Sequence, residues 1–151
     1  MSFLKRSRVI DLCAIVFGGV YAAMVITPVG HWYEVGDVAV HDAIVGQPLE
    51  LDYHGGAVRQ FLGSYSVIVR HFGSRSIACE ATSSPFTYEV GARRPDPLTM
   101  DWWAPSDSRC WTLQRGTYVM ETCWTVHSPF RGLVPAKTAC VTSRDFTIHA
   151  A

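Results

Sequence analysis

The chain of 151 residues contains no asparagine, so an N-glycosylation sequon is impossible. Lysine occurs only at Lys5 and Lys137. Charge of either sign is scarce. Asp, Glu, Lys and Arg together make up 17% of the residues, and 13 basic side chains balance 13 acidic ones. That balance argues against nucleic acid as a partner and against an acidic disordered tail. Catalytic signatures are missing as well. There is no P-loop, G-x-G-x-x-G, G-x-S-x-G, H-E-x-x-H or C-x-x-C. These absences remove the common routes to phosphate and dinucleotide binding, ester hydrolysis, zinc proteolysis and thiol redox chemistry. The sequence therefore assigns no catalytic residue, no metal and no cofactor. No internal repeat or low-complexity tract is visible either.

The hydrophobic fraction of 48% averages two unlike parts. Residues 1–30 hold 19 of the 73 hydrophobic residues and a single acid, Asp11. Residues 31–151 hold the rest, with 10 basic and 12 acidic side chains, a net charge of −2. In the first part Lys5, Arg6 and Arg8 precede an apolar run from Val9 to Val29. A helix of that length just reaches across a bilayer core of about 30 Å. Pro28 and Gly30 are expected to stop it, with Trp32 and Tyr33 in an aromatic belt at the interface. The positive cluster predicts a cytoplasmic N-terminus in an inner membrane and a domain on the far, periplasmic side. A cleaved signal peptide, with a site near Ala22, is the alternative and sends the domain to the same side. Gly18/Ala22 and Gly19/Ala23 are small-xxx-small pairs, the spacing at which membrane helices pack closely, so a homo-oligomer is one expectation.

From residue 31 onward the pattern has period two. Strands are expected at residues 38–40, 49–53, 65–71, 77–81, 86–90, 98–103, 118–126, 138–141 and 145–149. Leu49, Leu51 and Tyr53 alternate with Glu50, Asp52 and His54, one buried face against one wet face. Short strands with turn residues between them and no helical period point to an antiparallel β-sandwich. The Leu113-x-x-Gly116-x-Tyr118 turn is similar to one in immunoglobulin-like sandwiches. Tyr118 precedes Cys123 by five residues, not two, so the likeness is one of architecture. The expected fold is thus an immunoglobulin-like β-sandwich over residues 31–151, preceded by one transmembrane helix within residues 1–30.

Cys13 lies in the apolar run and reads as a small buried hydrophobe. Cys79, Cys110, Cys123 and Cys140 lie in the exported part and read as two disulfides with three possible connectivities. Chain order favours Cys79–Cys110 and Cys123–Cys140. The second pair would join the last two strands around the loop between Ser128 and Lys137.

The histidines and acids suggest little chemistry. His31, His41, His54, His71, His127 and His149 show no metal-ligand spacing. A cluster of His54, His71 and His127 at strand ends beside an acid would make the chain an exported enzyme or metal-binding protein. Asp96, Asp101 and Asp107 read as turn formers, and Arg93-Arg94 as a solvated turn. The aromatics say more. On a strand, Trp102 and Trp103 point to opposite faces, one inward and one outward. An outward Trp near Arg109 and Trp111 would be a binding anchor.

Several stretches carry a resemblance. They are residues 29–35, Phe61-Leu62-Gly63-Ser64-Tyr65 with Val67, Val69 and Arg70, then Cys79, residues 98–103, Cys110, Gly116-Thr117-Tyr118, Trp124 and Phe146-Thr147-Ile148. Together they resemble small single-pass membrane proteins encoded by tailed bacteriophages and prophages of proteobacteria. The resemblance spans nearly the whole chain and supplies no catalytic residues. Topology and the missing catalytic signatures point to a membrane-anchored, non-enzymatic binding or structural protein, and with the phage-like anchor an envelope or virion protein is the expected partner. The pair Cys123 and Cys140 is not part of that pattern.

Overall fold

The computed structural model describes residues 2–128 and 133–151, with side chains described from Ile10 onward. The chain opens with helix α1 (Ser2–Ile26), followed by a 3-10 turn at Val29–His31. Short strands follow: β1 (Tyr33–Glu34), β2 (Val38–Val40), β3 (Ala43–Ile44), β4 (Glu50–Tyr53) and β5 (Gly56–Ala57). The long strand β6 (Phe61–His71) leads into β7 (Ile77–Thr82) and β8 (Phe86–Tyr88). Then come β9 (Leu98–Thr99), the single helical turn α2 (Met100–Trp103) and a 3-10 turn at Ser108–Cys110. The chain closes with β10 (Gly116–Val126), β11 (Lys137–Thr142) and β12 (Phe146–His149).

The protein is mainly β, with several sheets. The largest is built on the antiparallel pair β6 and β10, which runs in register from Tyr118 opposite His71 to Val126 opposite Gly63. The far edge of β10 pairs first with β12 and then with β11. The far edge of β6 pairs with β8 and then β7. β3 adds to β12 in parallel. A second sheet has the order β2-β4-β9, and β1 pairs with β5.

Alternation in the sequence sets which faces are buried. On β6 the inward positions Phe61, Val67 and Val69 are buried, and on β10 so are Tyr118, Met120, Thr122, Trp124 and Val126. Val38, Leu49, Leu51 and Leu98 from the second sheet join them in one core. Full burial of side chains of this kind is worth about 1.5–3 kcal/mol each. On the opposite face of β6 and β10, Arg70 Nη1 meets Glu121 Oε2 at 2.7 Å.

Both disulfides favoured by chain order are present. Cys79–Cys110 lies inside the core and ties β7 to the 3-10 turn. Cys123–Cys140 joins directly opposite residues of β10 and β11 on the outer face. Tyr118 donates its hydroxyl to the carbonyl of Gln114 at 2.8 Å, tying the turn to the strand it starts.

Several expectations need correcting. The segment 98–103 is not a strand throughout. It bends into helix after Thr99, because Met100 and Trp103 reach the core together only at helical spacing. Tyr33 is not at a membrane interface but in the core, at 3% exposure, and Trp32 packs against that core. Cys13 is exposed on α1, not buried. The end of the helix at Ile26, just before Pro28, is as expected. The loop between Ser128 and Lys137 falls partly outside the described residues.

From Ile10 onward α1 exposes apolar side chains, among them Ile10, Ile15, Phe17, Val20 and Ile26. Among the described residues, no helix is long and apolar enough to cross a membrane. The C-terminal end of α1 is held by the β domain. Lys137 Nζ donates to the carbonyl of Val25 at 2.7 Å and to that of Thr27, a cation capping exposed helix carbonyls. The Tyr21 hydroxyl donates to the carbonyl of Leu133 at 3.0 Å.

Candidate functional site

A cleft of about 1000 Å³ opens between β8 and α2. Its lining combines elements that sequence distance keeps apart. Tyr33 comes from β1, Tyr53 from β4, Phe86 and Tyr88 from β8, Trp102 and Trp103 from α2, and Trp124 from β10. Tyr65 of β6 and Arg94 from the loop after β8 complete it.

The rings form one connected system. Tyr53 stacks on Trp124 at 5.2 Å, and Trp103 meets Trp124 edge to face at 6.0 Å. Tyr88 stacks on Phe61 at 4.7 Å and on Phe86 at 4.3 Å. Tyr33 lies edge-on to Tyr88. Trp103 and Trp124 are buried, while Trp102 and Phe86 stand exposed at 47% and 41% and supply free apolar ring surface. Pairs of this kind add about 0.5–1.5 kcal/mol each beyond the area they bury.

Polar groups sit among the rings. The Tyr53 hydroxyl donates to the Tyr33 hydroxyl at 2.7 Å. The Tyr88 hydroxyl is buried and has no hydrogen-bond partner among the described residues. Burial raises the pKa of Tyr33, Tyr53 and Tyr88 above the ordinary tyrosine value, so these phenols stay protonated. Arg94 is exposed, as expected of a solvated segment, but it is held in place. Its guanidinium lies 4.6 Å from the centre of the Tyr53 ring and donates to the carbonyls of Tyr53, at 3.3 Å, and Gly55. Arg94 forms no ion pair among the described residues.

Trp102, Trp103, Arg109 and Trp111 separate into two groups. Trp102 and Trp103 line the cleft, Trp103 inward and Trp102 outward. Arg109 and Trp111 belong instead to the loop that covers the edge of β7. Asp107 Oδ2 and Ser106 Oγ accept from the backbone N–H groups of Glu80 and Thr82. Arg109 pairs with Asp107 at 2.7 Å, and that hydrogen-bonded guanidinium holds the Asp107 carboxyl well below the usual range. The Trp111 indole donates to the Ala104 carbonyl at 2.9 Å. This loop satisfies an otherwise open strand edge.

No histidine lines the cleft among the described residues. Among the described residues, the group of potential metal ligands that comes together is Glu121, Cys123 and Cys140, and its two cysteines are bonded to each other. His71 packs on the Tyr118 ring at 4.7 Å. His127 Nε2 lies 2.9 Å from Ser64 Oγ, but neither residue lines the cleft. Gly18 and Gly19 on α1 face open space, and Ala22 and Ala23 lie on the same helix.

Sequence reasoning found Trp102 and Trp103 but missed Tyr33, Tyr53, Tyr65, Phe86, Tyr88, Arg94 and Trp124 as parts of a site. A signal existed for some of them. Phe61 and Tyr65 share a strand face, as do Phe86 and Tyr88, so a same-face aromatic count flags both strands. Comparison with protein-family models, curated proteins and solved structures gives no match.

Proposed function

We propose that the chain is a membrane-anchored, non-enzymatic binding protein whose aromatic cleft is the recognition site. In this reading the β domain is an immunoglobulin-like sandwich held on the periplasmic side of an inner membrane. Its partner is an envelope or virion component, in keeping with the resemblance to phage-encoded single-pass proteins. The observation that carries the reading is the cleft. It is of ligand-binding size, lined by ring faces with a few polar groups among them, and open at Trp102 and Phe86.

Four further features support it. An apolar helix with no polar face needs an apolar surround, and a bilayer supplies one. Counted from Val9 to Thr27 the run is 19 residues, about 28 Å as helix. Two disulfides favour an oxidising compartment. The two sheets share one core, and the bond from Tyr118 to Gln114 has the form of the tyrosine corner of sandwich domains. The small residues Gly18, Gly19, Ala22 and Ala23 leave α1 open to a second copy.

The test is a photo-crosslinking amino acid at position 102 of the full chain in intact membranes. The expected result is a discrete crosslinked partner, with the chain resisting alkaline extraction. Recovery of uncrosslinked monomer alone, or release from the membrane by alkali, overturns the reading.

A further inference from the structure

We infer that the cleft takes a carboxylate-bearing saccharide, with the sugar faces on the aromatic rings and the carboxylate on Arg94. This rests on the reading of the cleft as a recognition site and names its ligand class.

The argument is one of matching chemistry. A sugar ring has apolar C–H faces and a rim of hydroxyls. It needs flat apolar surface and hydrogen-bonding groups side by side, and the cleft offers both. Trp102 and Phe86 provide exposed ring faces. Tyr33 accepts a hydrogen bond from Tyr53 and keeps its own proton to donate, and the Tyr88 hydroxyl has no partner among the described residues. Glu89 and Asp101 also line the cleft and accept from sugar hydroxyls.

Other ligand classes fit less well. A hydrocarbon chain leaves the exposed Arg94 guanidinium in the lining without a counter-charge. A cation meets Arg94, whose charge already covers the Tyr53 ring. An extended peptide is gripped by a row of free backbone groups at a sheet edge. The lining here presents ring faces and separate side-chain donors.

The carboxylate follows from Arg94. Its guanidinium has five N–H donors in a planar fork that matches a carboxylate. Two carbonyls engage part of that fork, and no carboxylate of the chain pairs with it among the described residues. Stacking on Tyr53 and the bonds to Tyr53 and Gly55 hold the group in place before a ligand arrives, so little ordering is left for binding to do. Arg93 lies beside it in the lining and adds charge of the same sign.

The test compares two disaccharides on the full chain in detergent micelles. One is N-acetylglucosaminyl-N-acetylmuramic acid, which carries a carboxylate. The other is diacetylchitobiose, which is neutral. Binding is followed by titration calorimetry and tryptophan fluorescence. The expected result is that the acidic disaccharide binds about tenfold more tightly, a difference of about 1.4 kcal/mol. Arg94→Gln is expected to abolish that difference, and Arg94→Lys, which keeps the charge, to restore part of it. Trp102→Ala, at an exposed position, is expected to weaken both at least about fivefold, in line with loss of one ring face. Equal affinities for the two sugars, or binding of neither, overturn the proposal. The recognition reading fails separately, if Trp102→Ala leaves capture of the membrane partner unchanged.

Discussion

The indole N–H of Trp103 donates to the hydroxyl of Thr122 at 3.1 Å inside the core. Thr122 is 1% exposed, so the bond has no access to solvent as a substitute. It joins α2 to β10 and fixes the wall of the cleft against its floor. Thr122→Val keeps the shape and removes the acceptor. The expected cost is about 1–3 kcal/mol, the penalty of a buried donor left unpaired. Urea unfolding measures it, and a double-mutant cycle with Trp103→Phe isolates the pairwise part.

Gly36 and Gly55 bring two backbone segments into contact. A Cβ on Gly36 would stand 2.6 Å from the carbonyl carbon of His54 and 2.9 Å from the Cα of Gly55. Gly36→Ala must push the segments apart, at an expected cost of about 1–3 kcal/mol. The carbonyl of Gly55 also holds Arg94. The same substitution is therefore expected to perturb the NMR signals of the Arg94 guanidinium, which a purely global loss of stability would not single out.

The two disulfides differ in their surroundings. Cys79 and Cys110 are fully buried, whereas Cys140 is exposed. Thiol exchange needs access for the attacking thiolate. Mild reductant under native conditions is expected to open Cys123–Cys140 first, as read by alkylation and peptide mass mapping. Replacing Cys79 and Cys110 with Ala is expected to cost about 2–5 kcal/mol.

The cleft phenols set an alkaline limit. Tyrosine ordinarily titrates at 10.0, and burial raises Tyr33, Tyr53 and Tyr88 above that value. Below pH 10 these groups are protonated in both folded and unfolded chains, and their contribution is fully present. Above it the unfolded chain ionises first, so stability falls as pH rises toward the folded values. Ultraviolet titration is expected to show these phenolates appearing only with unfolding. Early, independent ionisation would contradict the burial of the cleft floor.

Strands with clean alternation were legible in the sequence. β6 and β10 follow Val67, Val69, Tyr118, Met120 and Trp124, whose period of two matches one buried face. Pairs as short as Tyr33–Glu34 and Gly56–Ala57 leave no periodic trace. The turn α2 misled because Trp102 and Trp103 split inward and outward on a helix as they would on a strand. The cleft was the least legible part. Its rings come from β1, β4, β6, β8, α2 and β10, and only packing brings them together. The role of Arg94 was invisible for the same reason, since its partners Tyr53 and Gly55 lie about 40 residues earlier (separations of 41 and 39).

The bridge from Cys79 to Cys110, a sequence separation of 31, closes the chain between them into a covalent ring. That ring holds Phe86, Tyr88, Arg94, Trp102 and Trp103, most of one wall of the cleft. The wall is thus a cassette with fixed ends. A proteolytic cut between Phe86 and Arg94 leaves both fragments attached, so the wall can be nicked without being shed. Its composition can also change across the whole segment while the bridge keeps its ends against the core. A recognition surface carried this way varies independently of the strands that hold the fold.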